Sequence, residues 1–346
     1  MTGVAPEGRP VRSFYPDGME MHRRDGCPKH MMMGPCGGVR PDGGCEVVSG
    51  PCVFPEPAPW GANAVQAVPL PRVPLILADY STDPYSLSML STVAGALAAD
   101  CDAVLVGEHQ NRPDFPPVLL ASLLRAAGAR PWVTLACRDR NRVVLEQELN
   151  GLRHLEVEAV LCVTGDARGY DVRPDVTQVF DLDGPRLAAL AASAGLSAAV
   201  PETPAAPPRA LRPSRLAQKQ QAGAAVAVLN HASVDSVTAF MDGAAAAGVT
   251  IPVIAGVAVY TDEPSAVVLS ALPGLELDPA AVRAVVDSPD PVEAGIAAAV
   301  REAAALLAIP GVAGVNLSGM ASARGYQYAA SVKAESARRI RAEHPA

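Results

Sequence analysis

Two short strings concentrate groups that can do chemistry. Cys137-Arg138-Asp139-Arg140-Asn141 and Thr164-Gly165-Asp166 set acid, base or hydroxyl groups on consecutive positions beside Gly or Asn, which favour turns. Carboxylates and guanidinium groups placed this way can bind a polar ligand or move a proton. Other polar residues close apolar runs: Asp79, Glu108-His109, Glu202, Asn230-His231, Tyr260, Asn316 and Ser318. A different chemistry sits near the amino terminus. Cys27, Cys36, Cys45 and Cys52 follow the spacing C-x8-C-x8-C-x6-C, each next to Gly or Pro. Four thiolates can close a tetrahedral zinc site or hold an iron–sulfur cluster, and zinc is the first choice. His22 and His30 are spare ligand candidates, and the plain alternative is a loop of reduced cysteines. Cys101, Cys137 and Cys162 lie in apolar contexts and read as small core residues.

The elements that must position these groups are legible as an alternation. Short β-rich runs cover Pro74–Asp79, Asp102–Val106, Pro131–Leu135, Glu158–Val163, Leu196–Val200, Ala224–Leu229, Pro252–Val257 and Gly311–Asn316. Between them lie Ala- and Leu-rich stretches of helical length, including 86–99, 141–154, 184–194, 214–222, 234–247 and 290–307. The seventh connection is longer and has room for extra helices around 263–272 and 279–287. Strands separated by helices imply right-handed βαβ units and a parallel sheet, and eight units predict a (β/α)8 TIM barrel. A doubly wound open sheet is the runner-up. No G-x-G-x-x-G follows the first strand, which weighs against it. In a barrel the polar strand ends gather at one face, so the residues above belong to one mouth.

Composition divides the chain. Residues 1–72 hold 12 Pro, 11 Gly, four of the 7 Cys and six of the 9 Met. Such a segment cannot offset its ordering entropy by apolar burial alone, which is why a metal tie is the expectation for 1–72 and a barrel for 73–346. Across all 346 residues the net charge is −8, and no basic run is present, which argues against nucleic acid. No uninterrupted apolar stretch is long enough to span a membrane, and no apolar leader is visible at the start. A cytoplasmic setting with reduced or metal-bound thiols is expected.

The ordered strings from Val133 to Asp166, then Val179–Asp183 (VFDLD), Arg215–Asn230 (RLAQKQQAGAAVAVLN), Pro252–Val259 and Gly311–Gly319 resemble the 5,10-methylenetetrahydrofolate reductase family over roughly residues 73–340. The front module, with CPKH, GPCGG and CEV, resembles a cysteine-rich domain that in relatives follows the barrel or forms a partner subunit. The resemblance implies a barrel that holds FAD and uses NAD(P)H to reduce 5,10-methylenetetrahydrofolate to 5-methyltetrahydrofolate. Asp79 would be the acid, where the family carries Glu. Asp166 would be catalytic and would touch both flavin and folate. Arg138, Asp139, Arg140, Thr164, Gly165 and Lys219 fall on flavin-binding positions, Lys219 near the phosphates. Asn230 would bind folate, where the family carries Gln. A tetrahydrofolate derivative is the expected small-molecule partner, together with a redox partner protein and a homo-oligomeric assembly. The alternatives are a folate-binding or electron-delivery module, or a folate-dependent one-carbon transferase.

Overall fold

The computed structural model describes residues 26–54, 56–61, 64–109, 111–168, 173–270, 275, 277–319 and 324–344. Eight parallel strands close into one barrel in sequence order. They are β1 Ile76–Tyr80, β2 Ala103–Val106, β3 Pro131–Ala136, β4 Ala159–Val163, β5 Ala198–Glu202, β6 Ala224–Leu229, β7 Val253–Ala258 and β8 Val312–Ser318. The first six helices alternate with them: α1 Leu87–Ala98, α2 Pro117–Ala126, α3 Arg142–His154, α4 Gly184–Ser193, α5 Arg212–Gln221 and α6 Val234–Ala246. The long seventh connection carries α7 Glu263–Ser270, α8 Pro279–Val286 and α9 Pro291–Leu307, and α10 Tyr326–Glu343 follows β8. The expected (β/α)8 architecture is therefore present, and each expected strand lies within two residues of an observed one. No helix among the described residues is long and apolar enough to cross a membrane.

Alternation along the strands explains why the barrel closes. Leu77, Leu105, Trp132, Leu161, Val226, Val228 and Ile254 fill the interior, with Ala103, Ala159 and Ala199 at other inward positions. Large and small side chains thus share the narrow space, and Trp132 is fully buried there. The outward residues, such as Ile76, Val104, Val133, Val160 and Val200, meet apolar helix faces in a larger core. Helix starts follow from side chains that accept orphan amides: Asn141 from Val144, Asp183 from Arg186, and Ser233 from Ser236.

Three strands run further than their apolar stretches. β1 includes Tyr80, β5 includes Pro201 and Glu202, and β8 includes Leu317 and Ser318. Their pairing continues through Tyr80↔Val106, Glu202↔Leu229 and Ser318↔Ala258. Backbone pairing with a neighbour is indifferent to side-chain polarity, so the ladders carry polar groups up onto the mouth.

The described residues of the front segment, 26–54, 56–61 and 64–72, are seated on the barrel. Met32, Met33 and Trp60 form a small apolar cluster with Ala222 at the end of α5. Hydrogen bonds fix it: the Met32 amide donates to Asp183 at 3.0 Å, Gln218 Nε2 to the Met33 carbonyl at 2.9 Å, and Arg212 Nη2 to the Cys36 carbonyl at 2.9 Å.

Candidate functional site at the barrel mouth

The carboxy-terminal ends of the strands hold almost every polar residue the sequence singled out. Asp79, at the end of β1, is clamped from β8. Asn316 Nδ2 donates to its Oδ1 at 2.8 Å, and Ser318 Oγ donates to Oδ2. The buried Lys333 of α10 donates to the Asp79 carbonyl at 2.7 Å. Burial lowers the Lys333 pKa against the pull of Asp79 and Cys101. Asn316 Oδ1 is buried and has no hydrogen-bond partner among the described residues.

Asp79, Asp166 and Asn230 line one cavity of about 340 Å³ in the mouth, together with Thr134 and Asn316. A second cavity of about 310 Å³ shares Thr134, Asp166 and Asn230 with it and extends toward β5, α5 and the front segment. A third, of about 450 Å³, lies beside the loop after β2 and meets both at Thr134. Thr134, buried and inward-facing on β3, is the hub of the mouth. Sequence reading passed over it because it looks like one β-former in an apolar run.

The CRDRN string makes a set of paired charges. Arg138 is buried and donates to Asp139 at 3.0 Å, to the Asp166 carbonyl at 3.4 Å and to the His109 carbonyl at 3.5 Å. Arg140 Nη1 reaches both Glu108 oxygens, at 2.9 and 2.7 Å. Burial pushes the Glu108 carboxyl up, with Arg140 opposing it. Asp139 receives Arg168 through both terminal nitrogens, at 2.6 and 2.7 Å. Against the cost of burial, Arg168 and Arg138 hold Asp139 below the usual carboxylate range. Arg168 lies two residues beyond the TGD string, and that proximity was the one signal available for it.

In TGD, Thr164 Oγ1 accepts from the Gly184 amide at 2.9 Å and ties β4 to the start of α4. Gly165 has φ +91°, and a Cβ there would lie 2.9 Å from Arg138 Cβ, so only glycine passes this turn closely. Asp166 is exposed on the cavity. Asn230, also exposed, donates to Thr203 Oγ1 at 3.0 Å. His109 faces Asp114 at 3.7 Å, and His231 bonds Glu302 of α9 at 2.7 Å, so each histidine already has a carboxylate partner.

Lys219 joins a buried charge network at the end of β5. Its ammonium donates to Glu202 Oε2 at 2.7 Å and to the Pro201 carbonyl, and Arg212 approaches Glu202 at 3.7 Å. Burial disfavours the Glu202 carboxylate, but Lys219 and Arg212 outweigh it and hold Glu202 below its ordinary value. Arg215, one turn before Lys219 on α5, lines the second cavity. It is buried, and its Nε and Nη1 have no hydrogen-bond partner among the described residues. A buried guanidinium left this way suits an anionic guest.

Cys27, Cys36, Cys45 and Cys52 carry free thiols. Backbone N–H groups two residues onward reach three of the sulfurs: Lys29 on Cys27, Gly38 on Cys36, and Val47 on Cys45 at 3.5 Å. Burial raises Cys27, with smaller contributions from Cys45 and Cys52, and burial pushes Cys36 up to about 11. Among the described residues no three His, Cys, Asp or Glu side chains are grouped as a metal-ion site. His30 turns its Nδ1 to the Phe180 carbonyl at 2.9 Å, and His22 lies outside the described residues. Cys101, Cys137 and Cys162 are buried, as their contexts implied.

Fold and mouth together define a (β/α)8 barrel with a polar, ligand-sized cleft at the carboxy-terminal face of its strands. No family model and no curated protein matches the sequence. Solved structures do match. One is an uncharacterised protein from Clostridium thermocellum that binds two copies of 5-methyl-5,6,7,8-tetrahydrofolic acid. The two share 11% sequence identity at a TM-score of 0.54, covering 77% of this chain and 94% of that one. At that identity the likeness is one of fold.

Proposed function

We propose that this barrel binds a reduced folate in its mouth and acts as a methylenetetrahydrofolate reductase-like enzyme of one-carbon metabolism. The observation that carries the reading is the shared cavity of Asp79, Asp166 and Asn230, with the unpartnered Asn316 Oδ1 on its wall. A pterin presents an amino group and ring N–H donors, and these acceptors answer them. The folate-binding barrel of similar fold adds support.

In the proposed reaction Asp79 passes a proton to N10 of 5,10-methylenetetrahydrofolate. The C–N10 bond breaks and the electron pair stays on N10. The methylene carbon then forms a cationic iminium with N5, and Asp166 stabilises the positive charge. NAD(P)H is the ultimate source of the hydride that completes the methyl group. Ser318 and Asn316 keep the Asp79 carboxyl in register, and Lys333 fixes its backbone. FAD, when bound, would carry the hydride. Arg215 beside Lys219, with its Nε and Nη1 unbonded, fits the phosphates of such a cofactor, with Thr164, Gly165 and Asp166 along the cavity. Arg138, Asp139 and Arg140 are engaged with one another's neighbours, so their part would be to shape the floor beneath it.

One specific observation favours a second reading, a folate-dependent one-carbon transferase. Met31, Pro35 and Cys36 of the front segment wall the second cavity and narrow the space for a large cofactor. Calorimetric titration with 5-methyltetrahydrofolate and the visible spectrum of the purified chain test both. The reductase reading expects micromolar-range folate binding and a yellow chromophore, retained or restored with FAD. Folate binding with no flavin uptake moves the assignment to the transferase, and no folate binding at all removes both.

We also propose that Cys27, Cys36, Cys45 and Cys52 draw together on a zinc ion that ties the front segment. Cys27 feels Cys45 and Cys52, and Cys36 feels Cys52, so the four sulfurs share one neighbourhood; this proximity supports the reading, and a metal ion would have to offset the burial that favours the neutral thiols. Elemental analysis should find about one zinc per chain, released when the thiols are alkylated under denaturing conditions. An absorption band near ~400 nm would indicate an iron–sulfur cluster instead. Absence of metal with four freely reacting thiols would remove the site.

A further inference from the structure

The front segment does more than rest on the barrel, and its Lys29 is the reason. Lys29 is 3% exposed, yet it lines the second cavity of the mouth alongside Arg215. Its ammonium donates to Glu46, and its nitrogen lies 5.7 Å from the centre of the Phe180 ring. An ammonium carries three donors, and Glu46 is its one hydrogen-bond partner among the described residues. The backbone around it is fastened to the barrel on both sides. Arg186 donates to the His30 carbonyl at 3.0 Å, the Met32 amide donates to Asp183, and Arg212 donates to the Cys36 carbonyl. A buried cation so anchored, facing a cavity, costs more than a structural contact requires.

We propose that Lys29 is a ligand-binding residue of the barrel: the front segment carries its ammonium into the cavity to receive an anionic group, carboxylate or phosphate, of the bound molecule. The mouth is then incomplete without residues far upstream of β1. The carboxylate would belong to the glutamate end of a folate, the phosphate to a dinucleotide. This inference rests on the folate reading above for its first source and on the cofactor reading for its second.

The test compares the full chain with Lys29→Met and Glu46→Gln, each checked for native circular dichroism. Three probes are titrated: 5-methyltetrahydrofolate, a 6-methyltetrahydropterin that lacks the glutamate, and FAD. Lys29→Met is expected to weaken an anionic probe by about tenfold or more, as loss of a charge-assisted hydrogen bond would. Glu46→Gln, which keeps the ammonium and removes its present partner, is expected to bind at least as well as the parent chain. Weakening confined to the folate assigns the carboxylate, and weakening confined to FAD assigns the phosphate. Equal affinities for parent and Lys29→Met overturn the inference while leaving the folate reading intact. So does equal weakening in both variants, which would mean that only the packing of the segment matters. A parent chain that binds neither anionic probe overturns this inference together with the readings beneath it.

Discussion

Replacing Asp79 by Ala is expected, under the proposed reductase function, to lower turnover of 5,10-methylenetetrahydrofolate by about 10²- to 10⁴-fold, the usual worth of a positioned proton donor. The carboxyl is held by Asn316 and Ser318 from β8, with its main chain pinned by Lys333. That arrangement is costly in polar groups and serves one side chain. Removing the carboxyl takes away the proposed proton donor and leaves Asn316 Nδ2 and Ser318 Oγ without their acceptor. Both face a cavity, so water can replace the lost bonds and the barrel should still fold. Asp79→Asn keeps the shape and loses the acid, so it should resemble Asp79→Ala in rate while binding folate more tightly than it. Asp79→Glu keeps the acid but shifts it by roughly 1.5 Å, which is enough to spoil alignment. Rates of NAD(P)H oxidation and calorimetric affinities separate these effects. Parent-like turnover in Asp79→Ala would remove Asp79 from the chemistry.

The second large effect concerns stability and is independent of any ligand. Glu202 is buried, and its charge is the counterweight to Lys219 and Arg212, with Arg215 close by. Glu202→Gln leaves those cations inside the protein without compensation. Breaking a buried pair from one side typically costs about 3–5 kcal/mol, and urea denaturation at neutral pH should read a loss of that order. The pH dependence has a definite sign. The folded protein holds Glu202 below the ordinary glutamate value of 4.5. The stability this contributes is fully present above that value and is lost as pH falls through the lower folded one. Parent and variant curves should therefore converge toward acid, separate as pH rises to about 5, and keep a constant gap above it. A difference that stays constant across roughly pH 3 to 7 would contradict this origin.

How much of this was legible beforehand differs between scaffold and mouth. The eight strands were readable because a barrel strand, covered on both faces, must be a short apolar run, and helical stretches separate the runs here. The strand-end rule places Asp79, Asp166 and Asn230 on one face from the sequence alone. Strand lengths were less legible. Glu202 and Ser318 belong to ladders whose continuation depends on a neighbouring strand, which local sequence does not encode.

The sequence by itself therefore determined the barrel, its polar rim and the thiol-rich front segment, since periodicity and residue type are local properties. Only the tertiary structure decided which rim residues act on one another. Arg168 finds Asp139 across 29 positions, Asn316 finds Asp79 across 237, and Met32 finds Asp183 across 151. It alone placed Lys29 in a cavity formed mostly by the barrel and left Arg215 with donors unspent. Such pairings are chosen by ring closure and by the docking of one segment on another. Their energies come from burial and charge at short range in space, and no spacing along the chain records that distance.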